Sequence, residues 1–203
     1  MNLNIALSWA ILFFFQVAVP GPALENDFVR VTRDQSPCAD GAPSCGERVL
    51  VALGDLSLND TKMHRGDIKV FKTGQRYTAP TDGEYLEVSI KPNHPKVAAL
   101  PTGTPAAPEN KVLYDSRDFT VFTEKMTPGE VSSVHSHNVR VAIFLDRTQV
   151  EQWDNVSAPL TTKGNIRELV PDEVMWRPAV VHVSKDVGEF PINNLLIEFN
   201  PSK

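Results

Sequence analysis

The chain says nearly the same thing twice, and that repetition limits the folds open to it. Arg48-Val49-Leu50-Val51-Ala52-Leu53 recurs as Arg140-Val141-Ala142-Ile143-Phe144-Leu145, and Arg65-Gly66-Asp67-Ile68-Lys69-Val70-Phe71 as Val170-Pro171-Asp172-Glu173-Val174-Met175-Trp176. Gly83-Glu84-Tyr85 matches Gly188-Glu189-Phe190, and the copies end alike in Glu87-Val88-Ser89-Ile90-Lys91-Pro92 and Leu196-Ile197-Glu198-Phe199-Asn200-Pro201. Each copy consists of short Val-, Ile-, Leu- and Phe-rich runs broken by Gly, Pro, Asp and Asn clusters, the rhythm of a sandwich or barrel of short strands. No segment sustains a 3.6-residue apolar period, so no long helix is expected. The predicted class is all-β, with two tandem units.

Residues 92–110, with Pro92, Pro95, Pro101, Pro105 and Pro108 among small polar residues, read as an extended linker between the copies. Unit 1 then spans 24–91 and unit 2 spans 111–203. Residues 1–23 read as a signal peptide: an apolar run from Leu3 to Val19, then Pro20-Gly21-Pro22-Ala23 before a cut. No Lys or Arg precedes the apolar run, so a membrane anchor over residues 3–19 is the alternative. Either way the mature domain is expected outside the cytoplasm, secreted or periplasmic. Cys38 and Cys45, the chain's two cysteines, bracket a turn-rich loop that would close as a disulfide there.

His135-Ser136-His137 opens a strand, so alternation puts both imidazoles on one face, where they can converge on a metal ion. At the repeat's offsets His135 falls on Pro43, His137 on Cys45 and His182 on Tyr77. All three histidines therefore belong to the second copy alone. His64 and His94 sit in a turn and in the linker and are expected to face solvent.

Gly129, His135 and His137 fit the first motif of the cupin superfamily, which runs Gly, five residues, His-x-His and then a glutamate. Pro178 and His182 supply the core of the second motif, with Asp186 where an Asn is usual. The chain thus resembles a bicupin with a degenerate first unit. The resemblance implies antiparallel jelly-roll barrels, with His135, His137 and His182 as metal ligands inside the second. The family's glutamate ligand falls at Val141 or Ala142, neither of which can bind metal. Glu130, nearby in sequence, is the other candidate for a replacement, though solvation is its expected fate. Parity from His137 makes Val141 an apolar wall of the pocket, and parity from His182 adds Trp176 to its lining. Arg140 recurs as Arg48 in the copy without histidines, which argues for a structural role.

Three neutral imidazoles leave an ion its full charge, suiting Fe, Zn, Ni or Cu over Mg and Ca. The net charge of −5 and the lack of any basic run argue against nucleic acid as a partner. The expected partner is a small-molecule ligand or substrate; a homodimer stays open, and a membrane partner requires an uncleaved leader. Two functions follow: a metal-dependent enzyme, such as an oxidoreductase, on a small molecule, or a bicupin that binds metal or a small ligand without turnover.

Overall fold

A computed structural model of the chain describes residues 21–98, 100, 110–154 and 160–201. The N-terminal apolar run, the centre of the linker and residues 155–159 lie outside the described residues.

The first half contains β1 (Leu24–Glu25), β2 (Val29–Arg33), β3 (Arg48–Ala52), β4 (Leu56–Leu58), β5 (Thr61–Met63), β6 (Ile68–Phe71) and β7 (Tyr85–Ile90). The second contains β8 (Lys111–Asp115), β9 (Phe119–Met126), β10 (His135–His137), β11 (Arg140–Phe144), β12 (Thr148–Asp154), β13 (Asn165–Leu169), β14 (Val174–Arg177), β15 (Val180–Asp186) and β16 (Ile192–Phe199). In the first half a five-stranded sheet, β1-β2-β7-β3-β6, is roofed by the β4-β5 hairpin. In the second half a five-stranded sheet, β14-β11-β16-β9-β8, closes over a four-stranded sheet, β10-β15-β12-β13. Every pairing is antiparallel, as the short punctuated runs imply. A disulfide joins Cys38 to Cys45 in the loop between β2 and β3.

Strands β3, β7, β11 and β16 are buried along most of their length, because both of their faces are covered. Leu50 and Ala52 point into the core under the hairpin, and Ala142, Phe144 and Leu196 into the second sandwich. Their neighbours Val49, Val51, Leu86 and Val88 meet Val141, Ile143, Leu195 and Ile197 in one core between the two five-stranded sheets. Each of these eight side chains is fully buried and contributes roughly 1.5–3 kcal/mol by burial. Arg65 reinforces the junction: its Nε donates to the Leu145 carbonyl at 3.0 Å and a terminal nitrogen to Asp172 at 2.7 Å.

Cross-strand register corrects two of the repeat matches. Val49 stands opposite Val70, and Val141 opposite Trp176, so Trp176 corresponds to Val70 and Arg177 to Phe71. Likewise Ala52 faces Tyr85 while Phe144 faces Asn194, so Tyr85 does not correspond to Phe190. The matched endings hold, with Ser89 opposite Arg48 and Glu198 opposite Arg140.

Candidate metal centre

Pro128-Gly129 begins the site with a turn in which Gly129 adopts φ +86°, a conformation open to glycine at little cost. The chain then zips onto β15: Gly129 N–H donates to the Asp186 carbonyl, Asp186 N–H to that of Glu130, and Ser132 N–H to that of Ser184. This register brings His135 directly opposite His182. Strand alternation adds His137 on the same face. The third histidine, 45 residues downstream of His137 in the sequence, is thus a next-strand neighbour of the first.

The three rings are 1–2% exposed, and one ring nitrogen from each lies within 4.8 Å of the others. The His135 and His182 Nε2 atoms are 3.0 Å apart. His137 Nδ1 lies 2.7 Å from Glu198 Oε2, and His135 Nδ1 lies 2.8 Å from the Ser133 carbonyl. A carboxylate and a carbonyl can only accept, so both Nδ1 atoms donate and both Nε2 lone pairs face inward. Burial, then the two neighbouring histidines, pushes His182 down to about 2, and burial also lowers His135. Those two rings are neutral near pH 7, as a ligand requires.

His182 is held differently. Gln152 Oε1 accepts from Arg177 at 2.7 Å, which leaves the Gln152 amide nitrogen 3.4 Å from His182 Nδ1. In this arrangement Nδ1 accepts and the ring proton sits on Nε2, donated toward His135. An ion at His182 Nε2 requires the proton on Nδ1 and the Gln152 amide turned over.

The donor set fits a transition metal. His137 Nε2 is buried and has no hydrogen-bond partner among the described residues, a state that costs about 1–3 kcal/mol unless something binds there. Three imidazoles with inward nitrogens are what Fe, Zn, Ni and Cu accept.

Beside His182, a small cavity has Met126, Ala142, Phe144 and Leu196 as its apolar floor, and Glu124, Arg140, Gln152 and Arg177 supply its polar groups. The free space is about 30 Å³, room for about two water molecules. Glu124 Oε1 lies 4.0 Å from His137 Nε2, and its Oε2 accepts from Asn194 at 2.8 Å. The sequence reading missed Glu124. Its signal was an acid on the inward face of β9, in step with the buried Phe122 and Met126.

Val141 and Trp176 do not line this cavity. Between His137 and Arg140 the chain leaves the four-stranded sheet for the five-stranded one, and the two residues in the crossing, Asn138 and Val139, reverse the parity. Arg140, Ala142 and Phe144 consequently point inward, and Val141 points into the core between sheets. Trp176, opposite Val141, packs there on Phe28 and Phe199 at 4.9 and 5.9 Å between ring centroids. Glu130 is no ligand: it accepts from the Thr127 amide and hydroxyl in the entry turn. His64 is exposed beside Asp55, as expected, whereas His94 is half-buried and stacks on Phe28.

No protein-family model matches the sequence, and no curated protein matches it. Solved structures do. A cupin 2 conserved barrel domain protein from Leptotrichia buccalis is 12% identical, with 87% of this chain and 86% of that one covered at a TM-score of 0.50. A Pseudomonas aeruginosa protein named as glyoxylate-induced is 15% identical, with 86% and 74% covered at a TM-score of 0.50. The fold is that of a cupin. Within it, the register settles which residue occupies the place of the cupin motif's glutamate on the inner wall: Ala142, the inward one of the two candidates. The carboxylate that this chain presents near His137 comes from β9 instead, at Glu124.

Proposed function

We propose that the second sandwich is the centre of a metal-dependent enzyme acting on a small molecule, with one divalent transition-metal ion held by His135, His137 and His182. The observation that carries this reading is the buried, unpartnered His137 Nε2 beside two further ring nitrogens. When bound, the ion supplies a Lewis acid and lowers the pKa of a water ligand. Glu198 fixes the His137 tautomer, and Gln152, beside His182 Nδ1, holds that ring once its amide is turned over. Glu124, anchored by Asn194 and 16% exposed at its side chain, is the group placed to take a proton from whatever occupies the space before His137. Met126, Phe144 and Leu196 keep water from the far side of the cavity.

The reading includes export: the apolar leader and the closed Cys38–Cys45 disulfide both suit an oxidising compartment. The test is metal analysis of the purified protein, after reconstitution with Fe, Zn, Ni and Cu in turn, against a His135→Ala, His137→Ala double variant. About one ion per chain in the parent and none in the variant is expected. Equal metal in both would remove the site. With metal loaded, turnover of a panel of small molecules that is lost in Glu124→Gln separates an enzyme from a binder.

A further inference from the structure

The cavity also holds two arginines that ordinary structural reasoning leaves unexplained. Arg140 and Arg177 stand directly opposite each other on β11 and β14, on the inward face, and both line the space next to His182. Like charges in that position repel, and burial makes them costlier still. Arg140 is 3% exposed, and desolvation, with Arg177 adding to it, pushes it down to about 10; Arg177 is lowered for the same reason. Neither forms an ion pair among the described residues.

The first half shows what the fold itself needs from this arginine. Arg48 donates through one terminal nitrogen to the Gly46 and Lys72 carbonyls and through the other to Gln75. Its cross-strand neighbour is Phe71, on whose ring it rests. Arg140 repeats the first two bonds, to the Asn138 and Pro178 carbonyls. Its second terminal nitrogen has no protein acceptor among the described residues, and its neighbour is a second guanidinium. The structural clamp is therefore kept in both halves, and the extra cation and the spare donor belong only to the half with the histidines.

The charges decide what would fill that space. Glu124, Glu198 and Asp154 act on the two guanidiniums, Arg167 is paired with Glu173, and imidazole ligands bring no charge to an ion, so a bound divalent ion leaves the site net positive. We propose that the site takes a small carboxylate, one oxygen toward the ion and the other held by Arg140 Nη2 and Arg177, with a short apolar tail on Ala142, Phe144 and Leu196. The proposal rests on the metal reading above. The free volume of about 30 Å³ restricts the occupant to a small ligand, and guanidinium planes suit a carboxylate.

The test is calorimetric titration of the zinc-loaded protein with propionate, with neutral propionamide, and with inorganic phosphate. Metal content is measured on every sample. Arg177→Phe restores the Arg–Phe pair that the first half already folds with, and its thermal melt shows whether it is folded. The expected result is propionate binding at least 10-fold tighter than propionamide, lost in folded, zinc-loaded Arg177→Phe. Equal binding of propionate and propionamide, or unchanged propionate binding in that variant, overturns the proposal. Phosphate binding without propionate binding overturns the carboxylate class. Zinc loading with no anion bound overturns it while leaving the metal reading intact. Failure to load zinc, with Arg177-dependent propionate binding retained, overturns the metal reading and supports the arginine pair as the anion site; failure of both overturns both.

Discussion

His135 lies opposite His182 on the β10–β15 ladder, and their Nε2 atoms are 3.0 Å apart. Two buried imidazoles this close cannot both be protonated, and the unfolded chain faces no such restriction. For His182 the folded value is about 2 against 6.5 for the free side chain, and His135 is lowered in the same sense. Above pH 6.5 both states hold these rings neutral. Below it the unfolded chain takes up protons that the folded one refuses, so stability falls as the pH drops. Metal-free protein should lose about 1.4 kcal/mol per pH unit for each such histidine, read from urea denaturation in chelator at pH 7.5, 6.5 and 5.5. A flat profile across that range would contradict the buried neutral pair.

Glu198 accepts the His137 Nδ1 proton at 2.7 Å. Glu198→Gln should keep the fold, because the amide can still occupy the site, and weaken metal binding about 10–100-fold. Competition with a chromophoric chelator measures it. Unchanged affinity would mean that the contact does not tune a ligand.

Ala142 and Val141 are adjacent but face different surroundings. Ala142→Glu places the missing cupin carboxylate beside the rings and should tighten metal binding. Val141→Glu drives a charge into the core between the sheets, where an unpaired ion costs several kcal/mol, and should unfold the protein at room temperature. Circular dichroism and metal analysis of the pair distinguish the two faces; the reverse pattern would return Val141 to the pocket.

The interface core predicts a fourth outcome. Ile143 is fully buried between the sheets, so Ile143→Ala should cost about 2–5 kcal/mol in denaturant unfolding while metal stoichiometry in the folded fraction stays at that of the parent. Loss of metal without loss of stability would place Ile143 at the site instead.

Reduction of the Cys38–Cys45 bond, which closes a loop of only seven residues' separation, should cost about 2–3 kcal/mol. Unfolding with and without reductant measures the difference, and no difference would make the bond a bystander.

Alternation along His135-Ser136-His137 is a property of any extended chain, so the shared face of the two histidines was legible in the sequence, and the spacing from Pro178 pointed to His182. The all-β class and the local disulfide were legible for the same reason: short apolar runs between turn residues, and two cysteines close enough to meet, need no distant partner. Parity failed where it was carried across a change of sheets, first over Asn138-Val139. There the strand changes sheets, and a crossing of two residues turns Val141 outward and Ala142 inward.

Trp176 was reached by parity from His182, and that parity also crosses a change of sheets, at Pro178-Ala179 between β14 and β15. The repeat match aligned Trp176 with Phe71, whereas hydrogen bonding pairs it with Val141 and gives the inward place to Arg177. Glu124, Gln152 and Arg177 come from β9, β12 and β14, which the chain order does not place beside the histidines. The sequence by itself determined the strands, the repeat and the three histidines, because these follow from local periodicity and spacing. Only the tertiary structure decided which carboxylate and which cations surround them, because that depends on sheet order, on register and on two reversals of face, between His137 and Arg140 and between Arg177 and His182.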